Sequence, residues 1–122
     1  TLSLHDALPI SCAFLGLLRL QSLNLNENPV VTIFQFAFKG LQNLRKLSIE
    51  NTHLAELCIG AFDGLLRLQT LHLSNNRIRF VHVLVFRPIA KVAFLNLSAN
   101  TYIMFSLMTL NSFFSPQGTP PY

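Results

Sequence analysis

The sequence predicts an α/β-type solenoid. In this fold the chain winds as a right-handed superhelix, with a parallel sheet on its concave side and loops, 3-10 turns or short helices on its convex side. Three observations support the prediction: a period of 24 residues, alternating leucines within each period, and a polar column led by asparagine. Each period is therefore expected to form one turn that stacks on the next.

The period appears as eight columns that hold across four repeats without an insertion. One column is aromatic and comprises Phe14, Phe38, Phe62 and Phe86. Six more are mainly aliphatic: Leu17, Leu41, Leu65 and Ile89; Leu20, Leu44, Leu68 and Val92; Leu23, Leu47, Leu71 and Leu95; Leu25, Ile49, Leu73 and Leu97; Val30, Leu54, Ile78 and Tyr102; Ile33, Leu57, Val81 and Phe105. These columns predict the core.

The polar column comprises Asn28, Thr52, Asn76 and Asn100. It follows an L-x-L segment whose alternation predicts a short strand with inward-facing leucines. An asparagine side chain both donates and accepts, so it can satisfy backbone groups of the turn after the strand. We therefore predict a structural role for the three asparagines. Thr52 has only a hydroxyl and is expected to hold its turn less well.

Glycine follows the aromatic column by two residues in three repeats, where Gly16, Gly40 and Gly64 allow a tight backbone. The fourth repeat has Pro88 at this position, which predicts a different local path.

Residues 37–41 and 61–65 read A-F-x-G-L in full, and residues 14–17 match this motif in part. Together with L-x-x-L-x-L-x-x-N-x-L, the motif resembles the leucine-rich-repeat family, in its 24-residue typical subtype, over residues 13–113. In that family the subtype is common in animal ectodomains. The resemblance therefore implies an extracellular or cell-surface location, and leaves open whether the parent protein is membrane-anchored or secreted.

The predicted organisation has three parts. Residues 1–10 can be written back as ACT CTT TCC CTA CAC GAC GCT CTT CCG ATC, the common short-read sequencing adapter, and are interpreted as a non-native artefact. Residues 11–114 are predicted to form the array, about four repeats plus a partial fifth, as an interior fragment of a longer protein. Residues 115–122 contain three prolines and a glycine and are predicted to be an irregular tail. This tail could be a linker, an alternative reading frame or a truncated end.

The sequence contains no pattern typical of an enzyme or a cofactor site. There is no G-x-S-x-G, H-E-x-x-H or phosphate-cradling glycine loop. His53, His72 and His82 fall in three different columns without ligand partners at metal spacing, so no metal site is predicted. Nine basic residues give a net charge of +4, and they look scattered along the chain, which argues against nucleic-acid binding.

Three further features concern disulfide formation, membrane insertion and glycosylation. Cys12 and Cys58 lie two repeats apart, about 10 Å in a stacked sheet, which is too far for an internal disulfide. Cys58 is instead expected to be a small buried residue. The uncharged run over residues 92–122 is long enough for a membrane span, but the repeat register and its asparagines argue against one. Residues 96–98 read N-L-S, which makes Asn96 a candidate glycosylation site if the chain is secreted.

The variable positions of each repeat are expected to stand on the concave sheet. They are Gln21, Ser22, Asn24, Asn26 and Glu27; Arg45, Lys46, Ser48, Glu50 and Asn51; Gln69, Thr70, His72, Ser74 and Asn75; Ala93, Phe94, Asn96, Ser98 and Ala99. Their largest members are Arg45, Lys46, Glu50, His72 and Phe94, which we predict to be a protein-binding face.

The functional prediction is a protein-recognition module from the ectodomain of a receptor-like or secreted protein. Any solvated sheet face is polar, so two alternatives remain open: structural spacer repeats without a ligand site, and an intracellular scaffold.

Overall fold

A computed structural model describes residue 14 and residues 16–107 of the chain. These residues form eight short strands and one 3-10 helix. In chain order the elements are β1 (Ser22–Asn24), β2 (Thr32–Ile33), β3 (Lys46–Ser48), β4 (Glu56–Leu57), β5 (Thr70–His72), β6 (Phe80–His82), the 3-10 helix (Val83–Ile89), β7 (Phe94–Asn96) and β8 (Met104–Ser106).

The first sheet contains the four L-x-L strands in the order β1-β3-β5-β7, all parallel. Its register pairs Leu23 with Leu47, Leu47 with Leu71, and Leu71 with Leu95. Each pairing joins residues one 24-residue period apart. The predicted solenoid with a parallel sheet is therefore confirmed.

A second parallel sheet, which the sequence analysis did not predict, has the order β2-β4-β6-β8. It pairs Thr32 with Glu56 and then Glu56 with Phe80. Only loops, 3-10 turns or short helices were expected outside the concave sheet. Each strand of this sheet holds only one residue of the apolar columns, so it lacks the repeated L-x-L alternation that marks the first sheet.

The aromatic column forms a stack through the core. Successive rings from Phe14 to Phe86 have centroids 5.8, 6.1 and 5.8 Å apart, with interplanar angles of 7°, 2° and 14°. Phe38 and Phe62 are fully buried. Burial of a phenylalanine side chain stabilises a fold by about 1.5–3 kcal/mol, so this column contributes strongly to the cohesion between turns.

The turns after the second-sheet strands follow the glycine pattern. Gly40 and Gly64 have φ of 98° and 91°, which lie in the left-handed region that favours glycine. Pro88 cannot adopt this conformation, and the fourth repeat instead contains the 3-10 helix. His82 caps this helix, because its Nδ1 accepts a hydrogen bond of 3.1 Å from the backbone N–H of Leu84. The different path predicted for repeat four is confirmed.

Burial does not extend along the whole length of every apolar column. Leu17 is exposed at one end of the array, and Tyr102 and Phe105 are exposed at the other. Membership of an apolar column therefore does not by itself bury a residue at the ends of the array. The fourth turn packs on the third through the β5–β7 and β6–β8 pairings.

Several sequence predictions concern residues that lie outside the described part of the chain. These are the adapter interpretation of residues 1–10, the partial fifth repeat up to residue 114, and the irregular tail at residues 115–122. Cys12 lies outside it as well.

Candidate binding face

The outer surface of the first sheet presents the predicted candidate residues in columns. Lys46 pairs with Thr70, which pairs with Phe94. The next outward column runs from Ser48 through His72 to Asn96. Because parallel strands lie about 4.8 Å apart, side chains in one column are close neighbours.

The candidates differ in their exposure. Arg45, Lys46 and Phe94 are exposed, whereas Glu50 and His72 are half-buried. Arg45 lies directly before β3, where its carbonyl accepts a hydrogen bond of 2.8 Å from the N–H of Gln69. The sheet therefore brings Arg45, Lys46, His72 and Phe94 onto one surface.

Two serines of this face are buried, contrary to expectation. Ser48 and Ser74 are only 5% and 4% exposed. The Ser48 hydroxyl lies 2.8 Å from Asn26 Oδ1, and both serine hydroxyls contact the Glu50 carboxylate. The Ser74 hydroxyl donates to Glu50 Oε2, and Ser48 Oγ lies 3.1 Å from Glu50 Oε1. Glu50 thus links neighbouring turns through its carboxylate and is less free to contact a ligand than the sequence suggests.

A polar groove runs across strands β1, β3 and β5 of the first sheet. It has a volume of about 180 Å³ and is lined by Ser22, Leu23, Asn24, Asn26, Lys46, Ser48, Glu50 and His72. The sequence prediction selected five large side chains for this face and therefore missed Asn24 and Asn26, although both occupy variable positions. Asn26 Oδ1 accepts a hydrogen bond of 2.7 Å from the Glu50 N–H, and so contributes to the groove and to the turn contact.

His72 and Phe94 form a tilted ring pair at one end of this groove. Their centroids are 5.3 Å apart and their planes are inclined by 44°. Phe94 nevertheless remains 46% exposed. The pair presents an apolar surface beside the polar groove.

Asparagine side chains tie the third turn to the second and the fourth turn to the third. The Asn76 amide donates to the carbonyls of Leu73 (3.0 Å) in its own turn and Ile49 (2.6 Å) in the preceding turn. Asn100 repeats this arrangement with Leu97 (2.8 Å) and Leu73 (2.9 Å).

The carbonyl ends of these side chains also reach the preceding turn. Asn76 Oδ1 accepts from the N–H of Thr52 (2.9 Å), and Asn100 Oδ1 accepts from the N–H of Ile78 (3.0 Å). At the start of the column, Asn28 donates to the carbonyl of Leu25 (3.1 Å). The asparagine side chains therefore provide hydrogen-bond partners for the backbone N–H and carbonyl groups that they contact in these turns.

Thr52 takes part in this network in a different way. Its hydroxyl donates to Asn76 Oδ1 (2.7 Å) and accepts from the N–H of Leu54 (3.0 Å). Within its own turn, the Ile49 carbonyl is bound by Asn76. That this turn is less well held remains a prediction.

A second backbone constraint precedes the asparagine column. Glu27, Asn51, Asn75 and Ala99 all have φ between 54° and 62°. Asparagine tolerates this left-handed conformation better than most residues, so the backbone geometry itself accounts for Asn51 and Asn75.

The candidate glycosylation residue Asn96 is half-buried on β7, in register with His72. Its Oδ1 accepts a hydrogen bond of 3.0 Å from the N–H of Ser98. A glycan at Asn96 would therefore stand on the same surface as the candidate binding residues.

Away from this face, Cys58 is a free, half-buried cysteine rather than the buried residue expected. Burial raises the pKa of its thiol, and the nearby Glu56 carboxylate raises it further. Among the described residues no group of three or more histidine, cysteine, aspartate or glutamate side chains could hold a metal ion. No helix in the same part of the chain has the length and apolar character needed to cross a membrane.

The parallel stack, the asparagine ladder and the repeated turn define a solenoid of the type used for macromolecular recognition. A family model described as leucine rich repeat matches residues 42–101. The chain belongs to the leucine-rich-repeat family, and it is a repeat module of the protein-interaction type.

Solved structures share this architecture. One match is the crystal structure of a TLR13–ssRNA13 complex, with a TM-score of 0.69 and 30% sequence identity. The alignment covers 85% of this chain and 14% of that one, so the chain spans only a small part of that relative's length. A search of curated proteins found no match.

Proposed function

We propose that the chain is a protein-recognition segment of a receptor-like or secreted ectodomain, and that its ligand binds the concave face of the first sheet. The observation that carries the proposal is the side-by-side placement of Lys46, His72 and Phe94 on neighbouring strands. Arg45 lies directly beside Lys46.

The chemistry of this surface suits a protein ligand. Protein interfaces derive most of their binding energy from a few aromatic and arginine side chains, surrounded by polar contacts. Phe94 and Arg45 are of these types, and the neighbouring groove supplies amide and hydroxyl groups. Among the described residues of this face, Phe94 and His72 are the aromatic rings, which is too few for the successive base stacking of a single-stranded nucleic acid.

The extracellular location belongs to the same proposal. It rests on the repeat subtype and on the similarity to the TLR13 structure. If the chain enters the secretory pathway and Asn96 is glycosylated, the glycan shields the part of the face around His72. Asn96→Gln is then expected to strengthen ligand binding.

A binding screen against separate panels of secreted, cell-surface and cytosolic proteins, followed by matched substitutions, tests the proposal. Arg45→Ala and Phe94→Ala in the parent protein should each weaken binding of a ligand found in this way, by about tenfold or more. Arg45 is exposed, so its truncation should change stability by less than about 0.5 kcal/mol. Truncation of Phe94 also removes its ring contact with His72 and should cost about 0.5–1.5 kcal/mol.

Lys39→Ala and Asp63→Ala are the controls, because both residues lie in turns away from the first sheet. They should leave the affinity unchanged. Equal losses from both sets would refute the concave site. Loss from neither set would favour the spacer alternative, in which other repeats bind the ligand. A ligand found only among cytosolic proteins would favour the intracellular scaffold.

A further inference from the structure

The basic residues look scattered in the sequence, but the fold gathers five of them along one edge. Arg19, Arg67 and Lys91 occupy the same position of the 24-residue period, and Arg45 and Lys46 follow two and three positions later. Arg19, Arg45, Arg67 and Lys91 lie in the segments that lead into the first-sheet strands. Lys46 is the first residue of β3, and all five side chains are exposed. We refer to these five residues as the cationic edge.

Hydrogen bonds between turns establish that these segments are neighbours. The Asn43 side chain donates to the carbonyl of Leu18 (2.7 Å), joining the segments that contain Arg19 and Arg45. The N–H of Gln69 donates to the carbonyl of Arg45, and the N–H of Ala93 donates to the carbonyl of Gln69, each at a distance of 2.8 Å. With about 4.8 Å per turn, the edge extends roughly 14 Å across four turns.

The cationic edge has no acidic residue in its columns. The four carboxylates of the described chain lie elsewhere: Glu27 and Glu50 beyond the strands of the first sheet, Glu56 on the second sheet, and Asp63 in the turn after β4. Charges of one sign along an edge produce an additive field that attracts a polyanion.

A groove at the end of this edge adds a shaped surface. It lies between the third and fourth turns, has a volume of about 290 Å³, and includes Leu66, Leu68, Arg87 and Lys91 in its lining. Its polar side chains are thus two cations, and its leucines provide an apolar floor.

We propose that the cationic edge binds a sulfated polysaccharide. A sulfate group is permanently ionised and accepts hydrogen bonds, so a sulfated chain matches a row of exposed arginine and lysine side chains. The apolar floor of the groove can pack against the carbon–hydrogen faces of sugar rings. This inference goes beyond the proposed function, because it concerns a different class of ligand and extends to Arg19, Arg67 and Lys91, which lie outside the candidate binding face.

Other polyanions fit this edge less well. Among the described residues in the columns of the cationic edge, Phe94 is the only aromatic side chain. The adjacent column, which contains Leu18 and Leu66, has no aromatic side chain among the described residues. Single-stranded nucleic acid binding depends on such stacking platforms. An extended acidic peptide would need unpaired backbone groups to add as a strand, and here backbone N–H groups already bond to the neighbouring turn.

Binding of a heparin octasaccharide to the full 122-residue chain, measured by titration calorimetry at several salt concentrations, tests the proposal. The test variant is Arg67→Gln with Lys91→Gln, since neither residue is a candidate on the concave face. The matched control is Arg77→Gln with Arg79→Gln, which removes equal charge from the opposite side of the first sheet, between β5 and β6. Circular dichroism checks that both variants are folded.

We expect the edge variant to bind the octasaccharide about tenfold more weakly, and the control to change by less than about twofold. The salt dependence of the edge variant should also be shallower, because fewer ion contacts form. A desulfated octasaccharide should not bind.

Equal weakening in the two variants would overturn the proposal, since net charge alone would then explain the affinity. Retained binding of the desulfated octasaccharide would also overturn it. Tighter binding of a twelve-nucleotide polyuridine or of polyglutamate than of the octasaccharide would assign the edge to a nucleic acid or to an acidic protein instead. None of these outcomes depends on the concave face, so the proposed function is judged separately.

Discussion

The third and fourth turns carry the same apolar pattern but bury it to different extents. Leu71, Ile78 and Val81 of the third turn are fully buried. Their counterparts one period later, Leu95, Tyr102 and Phe105, are 37%, 97% and 55% exposed. The same column position is therefore buried in one turn and exposed in another, so the repeat register alone does not decide burial.

This difference reflects the one-dimensional architecture of repeat proteins. Each turn contacts its sequence neighbours, so stability is a sum of contributions within turns and between adjacent turns. A side chain in the third turn contributes to two interfaces, and the same residue type in the fourth turn contributes to one within the described chain. Substitutions at equivalent positions are thus expected to differ in cost.

A large contrast is expected between Leu71→Ala and Leu95→Ala. Truncating the buried Leu71 leaves a cavity and should lower the free energy of unfolding by about 2–5 kcal/mol. Leu95 already contacts solvent, so its truncation should cost about 1 kcal/mol or less. Chemical denaturation of the two variants measures both values, and equal costs would show that the fourth turn is covered in solution.

A smaller contrast is expected in the asparagine column. Asn76→Ala leaves the buried Ile49 carbonyl and the Thr52 N–H without a side-chain partner, and should cost about 1–3 kcal/mol. Asn100 is half-buried and water can replace part of its bonding, so Asn100→Ala should cost less. A greater loss for Asn100 in the same denaturation experiment would contradict the argument from burial.

The smallest effect is expected at Tyr102. Because this side chain is 97% exposed, Tyr102→Ala should change the free energy of unfolding by less than about 0.5 kcal/mol. By comparison, Ile78→Ala in the same column should cost about 2–5 kcal/mol. A loss above about 1 kcal/mol at Tyr102 would mean that another surface covers it.

Part of the candidate site was predictable from periodicity alone. The 24-residue repeat placed Lys46, Thr70 and Phe94 in one column, and the strand register reproduces that column. The burial of Ser48 and Ser74 on this face was not predictable, because it accompanies side-chain contacts with Glu50 and Asn26 that cross between turns. The shortlist by side-chain size also passed over Asn24 and Asn26, which line the groove because of their position.

The sequence by itself determined the repeat length, the strands of the first sheet, the asparagine ladder and the altered turn at Pro88. These features depend on local patterns: alternation, side-chain hydrogen-bonding capacity and the backbone freedom of glycine or proline. Only the tertiary structure decided the second sheet, the burial of the two serines, the exposure of Tyr102 and the gathering of the cationic edge. Each of these depends on contacts between turns that lie a full period apart in sequence, where stacking, and not local preference, sets which groups meet.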